Sequence, residues 1–169
     1  MFDRMHGRTW KLGDNVLNDG EIIDFEMVRK GIFDPDVLGQ HCLGPIRPDF
    51  TREASAGDII VAGRDFGRGQ LHDAGPFAIR ARKVGLITES MSRAFFRLAI
   101  SAGLVMIPFA PEIRGKIQDG DLLNVDFRSG KIHNLGTGEV IQVQPLPDFL
   151  WDFVGAGGEM EWLRKNLSP

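Results

Sequence analysis

The densest run of chemically useful residues is Gly63-Arg64-Asp65-Phe66-Gly67-Arg68-Gly69-Gln70-Leu71-His72-Asp73-Ala74-Gly75. It stands between an apolar run, Asp58-Ile59-Ile60-Val61-Ala62, and a segment from Pro76 onward with the makings of a helix. A loop that leaves a strand and enters a helix can present backbone N–H groups together with the positive end of the helix dipole, a setting that favours an anion. Arg64, Arg68 and His72 add positive character. The loop is not a dinucleotide fingerprint, because Gly67-x-Gly69 is followed by His72 where a third glycine belongs, and it lacks the Gly-Lys-Ser/Thr ending of a phosphate-binding P-loop. The competing reading is a tight strand-to-helix connection with no ligand, since short connections of this kind are frequent in α/β folds.

Few other residues offer chemistry. The four histidines are scattered without paired spacing, which gives no metal site, and His41 and His133 read as surface or capping residues. Cys42 is the only cysteine, so there is no disulfide framework. An iron–sulfur cluster takes about four thiolates, so this chain cannot hold one by itself. There is no tyrosine, which removes phenols from the candidate acids and bases. A net charge of −3 without a clustered basic face argues against nucleic acid as a partner. No apolar run approaches the roughly 18 residues of a membrane span, and the start, MFDRMHGRTWKLGD, lacks the apolar core of a secretory signal, so the expectation is a cytoplasmic protein without membrane contact.

The elements around the loop follow from periodicity. With 169 residues, 43% of them hydrophobic, the chain is long enough for one domain over 1–169 with its own core. Residues 1–57 read as turn-rich, with a helix over Glu26 to Lys30 that stops at Gly31. The Pro/Gly segment beyond it, to Phe50, reads as an ordered surface loop that retains Val37, Leu38 and Leu43. Asp58 to Ala62 is a buried strand, Pro76 begins a helix ended by Gly85, and Leu86-Ile87-Thr88 is the next strand. Ser92 caps a helix whose Phe95, Leu98, Ala99 and Ala102 share one face, Gly103 closes it, and Leu104 to Ile107 is a third strand. This order implies parallel pairing with crossover helices. Asp121 to Phe127, Lys131 to Asn134 and Glu139 to Gln144 form an antiparallel meander, followed by helices over Phe149 to Val154 and Glu159 to Leu167 whose Trp and Phe residues belong to the core. The fold class is α+β, a parallel βαβαβ element with an antiparallel β meander.

Several segments resemble the small subunit of isopropylmalate isomerase (3-isopropylmalate dehydratase), the detached swivelling β/β/α domain of the aconitase family. They are Gly57 to Gly63, Asp65-Phe66-Gly67-x-Gly69, Ala74 to Ile79, Ser90 to Arg97, and the Gly13-Asp14-Asn15 to Asp19 motif. Asp119-Gly120-Asp121, Asn134 to Glu139 and Gln144-Pro145 continue the likeness, which spans nearly the whole chain in order. The resemblance implies a half-enzyme. A large partner subunit carries a [4Fe–4S] cluster, this chain carries no cofactor or metal, and the pair dehydrates and rehydrates a small hydroxy di- or tricarboxylate.

The family loop usually reads Gly-Cys-Gly-Ser-Ser-Arg-Glu-His-Ala-Pro, its first serine being the base and its arginine the holder of a substrate carboxylate. Here Arg68 stands at the cysteine, Gln70 and Leu71 at the serines, His72 at the arginine, Asp73 at the glutamate, Ala74 at the histidine and Gly75 at the alanine, with Pro76 kept. The Gln70 amide has no basic state, so it orients a hydroxyl or carboxylate rather than removing a proton. Histidine changes charge near neutral pH and can act as a base, but His72 lacks the two-pronged grip of arginine, which Arg68 can supply from its neighbouring position. The candidate catalytic residues are therefore His72 and Gln70, and the candidate substrate-binding residues are Arg68, Gly67, Gly69 and Asp19. Asp73 also reads simply as a first-turn acid, and Arg93 and Arg97 as a solvated or ion-paired helix face. Leu17 replaces an acid of the N-terminal motif, and the segment Glu26 to Lys30, which would confer specificity, is divergent. The alternative is a non-catalytic swivelling domain that assembles with, or regulates, a large subunit; RNA binding finds no basic patch to support it.

Overall fold

Residues 3–69 and 72–167 are described by the computed structural model. The opening segment, expected to be turn-rich, begins with an eight-residue strand, β1 (Arg4–Lys11). Its side chains alternate between solvent and core from Arg4 to Thr9, the period of a strand covered on one face. Arg4, His6 and Arg8 occupy the open face, and Gly7 lacks a side chain because a Cβ there would stand 2.5 Å from the carbonyl oxygen of Gly57.

This strand lies in the middle of a seven-stranded sheet. β1 pairs in parallel with β2 (Ile59–Ala62) and antiparallel with β5 (Leu122–Asp126). β3 (Gly85–Thr88) and β4 (Met106–Ile107) complete the parallel half, while β6 (Lys131–Asn134) and β7 (Val140–Gln142) complete the meander. The order across the sheet is β4-β3-β2-β1-β5-β6-β7. All four residues of β2 and of β3 are buried, as crossover helices on parallel strands require, whereas β5 alternates. The expected α+β architecture is thus present, with β1 as the strand that joins its halves.

The helices explain two further differences from expectation. The Pro/Gly segment is not a surface loop: α1 (Phe25–Arg29) is followed by α2 (Pro35–His41) and α3 (Pro48–Glu53). Asp34 caps α2 by accepting from the backbone N–H groups of Asp36 and Val37, with Pro35 in the first turn where its missing N–H costs nothing. Leu38, Leu43 and Phe50 are wholly buried, while Val37 stays exposed. Helix α2 packs on α4 (Ala74–Ala81), and Gly39 permits that approach, since a Cβ there would stand 2.9 Å from Ala81 Cβ.

Helix α4 starts two residues before Pro76, which lies within the first turn, where N–H groups have no intrahelical partner to lose. Gly85 does not end that helix. It opens β3, where its missing side chain makes room for the Phe127 ring. In α5 (Arg93–Ala102), Ser92 Oγ accepts from Phe95 N and Gly103 closes the helix in the left-handed region. Phe95, Ala99 and Ala102 are buried, and Leu98 is only half-buried. After the short α6 (Ile113–Lys116) and the meander come α7 (Asp148–Ala156) and α8 (Glu159–Leu167). Trp151 belongs to the core and Phe153 packs against Trp162, but Phe149 faces solvent.

Candidate functional site

Because β1 and β2 run parallel, the chain leaves both at the same edge of the sheet, and the two exits are laced together. The Gly63 amide donates to Gly13 O, Asn15 to Arg64 O, Gly67 to Val16 O and Asn18 to Arg68 O, at 2.7–3.0 Å. Leu17 and Arg68 form an isolated parallel bridge, and Phe66 forms another with Met91 beyond β3. On that side Ser90 Oγ accepts from Asp65 N at 3.0 Å, and Ser92 Oγ donates to Gly67 O at 2.7 Å. The glycine-rich loop is therefore held between the Gly13–Asp19 segment and the start of α5.

Gly67 owes its identity to shape. It adopts φ +73, and a Cβ would stand 2.2 Å from Cγ of the buried Phe95 ring. Its amide, like that of Arg68, points to Val16 O, while those of Arg64, Asp65 and Phe66 go to Asp14, Ser90 Oγ and Ser90 O. This part of the loop thus has no amide hydrogen left for an anion, contrary to the cradle its glycines suggested, because the neighbouring segments need those donors. Gly69 also lies at positive φ, and among the described residues Leu17 Cδ2 is the nearest atom to its missing side chain, at 3.4 Å. Gln70 and Leu71 lie outside the described residues.

The charged groups are paired in sets. Asp14 accepts at Oδ1 from Arg64 N at 2.8 Å and at Oδ2 from Arg64 Nη2 at 3.1 Å, and Arg114 Nη1 lies 3.5 Å from Oδ1. The backbone N–H of Arg64, then its guanidinium, hold the Asp14 carboxyl below the usual carboxylate range. Arg68 donates from Nη1 to Asn15 Oδ1 at 3.0 Å and has Nε 3.7 Å from Asp65 Oδ2, while its side chain stays half-exposed.

The other set contains the histidine. His72 Nδ1 lies 2.6 Å from Asp19 Oδ2; the Asp19 side chain is 2% exposed and that of His72 44% exposed. Asn18 Nδ2 donates to Asp19 Oδ1 at 2.7 Å and to His72 O at 2.9 Å. A carboxylate can only accept, so a neutral His72 carries its proton on Nδ1 and its lone pair on Nε2. A buried acid thus orients a partly exposed imidazole, an arrangement suited to receiving a proton at Nε2.

Of the sequence-derived candidates, the fold brings Asp19 and His72 into contact across 53 positions of chain. Asp73 occupies the N-cap of α4 without a side-chain capping bond. Arg93 and Arg97 are exposed, with no ion pair among the described residues, and the Glu26–Lys30 segment is the short helix α1 with an Arg29–Glu26 pair. His41 is exposed in the last turn of α2, and His133 is half-buried in β6. Sequence reasoning passed over Asn18 and Arg114. For Asn18 the available signal was Gly75, whose missing Cβ opens the space the amide fills.

The residues present do not fit an iron–sulfur cluster. Cys42 is fully buried, and burial pushes its thiol up to about 12, which keeps it protonated. Among the described residues no group of three or more His, Cys, Asp or Glu side chains could hold a metal ion. Among them, too, no helix is long and apolar enough to cross a membrane.

Comparison with known proteins gives a consistent result. No family model matches the chain. The 3-isopropylmalate dehydratase small subunit of Methanosarcina acetivorans is 40% identical over 166 residues, covering 97% of this chain and 99% of that protein. The isopropylmalate/citramalate isomerase small subunit of Methanocaldococcus jannaschii is 37% identical over 163 residues, covering 96% and 95%. A crystal structure of 3-isopropylmalate dehydratase from the latter organism superimposes with a TM-score of 0.88 at 30% identity, covering 97% of this chain and 95% of that one.

Proposed function

The chain belongs to the family of 3-isopropylmalate dehydratase small subunits, and from that membership we propose that it is the swivelling half of a two-subunit hydro-lyase acting on a small hydroxy di- or tricarboxylate. The observation that carries an active role is the Asp19–His72 pair at the glycine-rich loop, which puts a proton acceptor where the family places its carboxylate-binding arginine. His72 Nε2 takes a proton from the carbon next to a substrate carboxylate, the C–H electron pair becomes the carbon–carbon double bond, and hydroxide leaves the adjoining carbon; the proton that His72 then releases neutralises the hydroxide, so that a hydroxy acid becomes an unsaturated acid plus water. Hydration is the reverse, with His72 returning the proton. Asp19 keeps the imidazole ring in place through Nδ1. Arg68, half-exposed and with donors to spare beyond Asn15, takes the substrate carboxylate beside the turn at Gly69. Gln70, next in the chain, orients the hydroxyl or carboxylate.

A chain with one inaccessible thiol supplies no ligand set for a cluster, so in this reading the [4Fe–4S] group belongs to the large subunit, and the closure of the two subunits completes the site. The test is co-expression with the cluster-bearing subunit and hydration assays on a panel of unsaturated diacids. Turnover that falls about 10²–10⁴-fold in His72→Ala, the usual weight of a general base, is the expected result. Intact turnover in that variant would remove His72 from the role of proton acceptor. A stable complex inert on every diacid would instead favour an assembly or regulatory domain.

A further inference from the structure

Asn18 is wholly buried and stands between the Asp19–His72 pair and the first turn of α4. Its two amide contacts go to groups that can only accept, the Asp19 carboxylate and the His72 carbonyl, so the orientation of the amide is fixed. The consequence is that Asn18 Oδ1 points at α4, where it meets no donor among the described residues. An alanine Cβ at position 75 would stand 2.0 Å from this oxygen, inside any allowed contact, and 3.4 Å from Ile22 Cγ2. A buried amide with an unpaired oxygen is unfavourable by itself. What offsets it here is the bridging done by Nδ2.

We propose that Asn18 is the positioning residue of this site: it occupies one oxygen of Asp19 so that the other is held for His72 Nδ1, ties the His72 backbone to the same point, and requires glycine at position 75 to do so. His72 is thereby fixed twice, once through its ring and once through its carbonyl. The ring is locked with the proton on Nδ1 and with Nε2 available to the site. Asn18 touches no substrate; it acts through Asp19 and His72. The inference rests on the reading of Nε2 as the proton acceptor, but the two can be separated experimentally.

The test uses the full chain, labelled with ¹⁵N at histidine, and reads the tautomer of His72 from its ring nitrogens at a pH where the imidazole is neutral. The His72 signals are assigned by their loss in His72→Ala. In the native protein the Nδ1–H form should dominate; a predominantly Nε2–H ring there would overturn the proposal without any variant of Asn18 being needed. In Asn18→Leu, and independently in Gly75→Ala, which leaves every residue of the pair in place, the spectrum should shift toward the Nε2–H form. In the reconstituted complex kcat should fall about 10–100-fold with KM changed less. A merely structural Asn18 would lower the urea midpoint and leave the tautomer and kcat of the folded variants unaltered, and that result also overturns the proposal. If the tautomer behaves as expected while His72→Ala retains turnover, Asn18 still positions the ring, and it is the proton-acceptor reading that fails.

Discussion

Replacing Gly67 by alanine tests whether the ring of Phe95 sets the shape of the loop. Two costs can be separated. At φ +73 a residue with a Cβ is in the left-handed region, which costs about 1–2 kcal/mol. The new Cβ would also stand 2.2 Å from Phe95 Cγ and 2.6 Å from Phe95 Cβ, so that ring or loop must move, at about 1–3 kcal/mol for overpacking. The sum is about 2–5 kcal/mol, a large share of a typical domain stability of roughly 5–15 kcal/mol. Gly69→Ala is the control. It shares the positive φ, but among the described residues its nearest neighbour is Leu17 Cδ2 at 3.4 Å, so the backbone cost of about 1–2 kcal/mol is the one expected.

Urea unfolding followed by tryptophan fluorescence measures both variants. A double-mutant cycle with Phe95→Ala, which removes Cγ and the ring and keeps Cβ, isolates the share of the clash that the ring makes. With the ring removed, the close contact at Phe95 Cβ remains, so Gly67→Ala should cost less than in the native protein but more than its backbone share, giving a coupling of about 0.5–2 kcal/mol. Strict additivity, or a Gly67→Ala penalty no larger than that of Gly69→Ala, would refute the steric argument. In that case the lacing of the loop to Val16 and Ser92, and not the ring, would hold its shape.

Other consequences can be measured on the same chain. Asp58 is buried and accepts from Trp10 Nε1 at 2.8 Å, Arg8 N at 2.9 Å and Ser55 N at 3.0 Å; Asp58→Ala should lower stability by about 2–4 kcal/mol in urea titrations, because three donors lose their acceptor. The hydrogen bonds of Arg47 hold the Asp49 carboxyl down to about 2, below its ordinary 3.8. Its contribution is complete above the ordinary value and is lost as the pH falls from 3.8 toward 2, so the gap in urea midpoint between native protein and Asp49→Asn should close over that interval. Cys42, with a thiol pushed up to about 12 and no exposed surface, should resist thiol reagents in the folded chain and react only as it unfolds.

The parallel half was legible because its signals are local and agree with one another. Apolar runs at β2 and β3, the Ser92 cap and the Gly103 stop each report on a few adjacent residues. Strand β1 was not legible, since Arg4, His6 and Arg8 give its open face no strand-like character and Gly7 interrupts the pattern. Nor were α2 and α3, whose prolines and glycines read as a loop until Asp34 supplies a cap and Gly39 a close approach to α4.

The sequence alone determined the glycine frame around residue 67, the exchange of reactive side chains within it, and the presence of only one thiol. Those are facts about residue identity and short-range order. Only the tertiary structure decided that Asp19 meets His72, that Asn18 braces the pair, and that the amides of Arg64 to Arg68 serve the loop itself instead of an anion. The reason is β1. It sets two exits far apart in the chain at one edge of the sheet, and contacts across that gap depend on strand pairing, which no local pattern records.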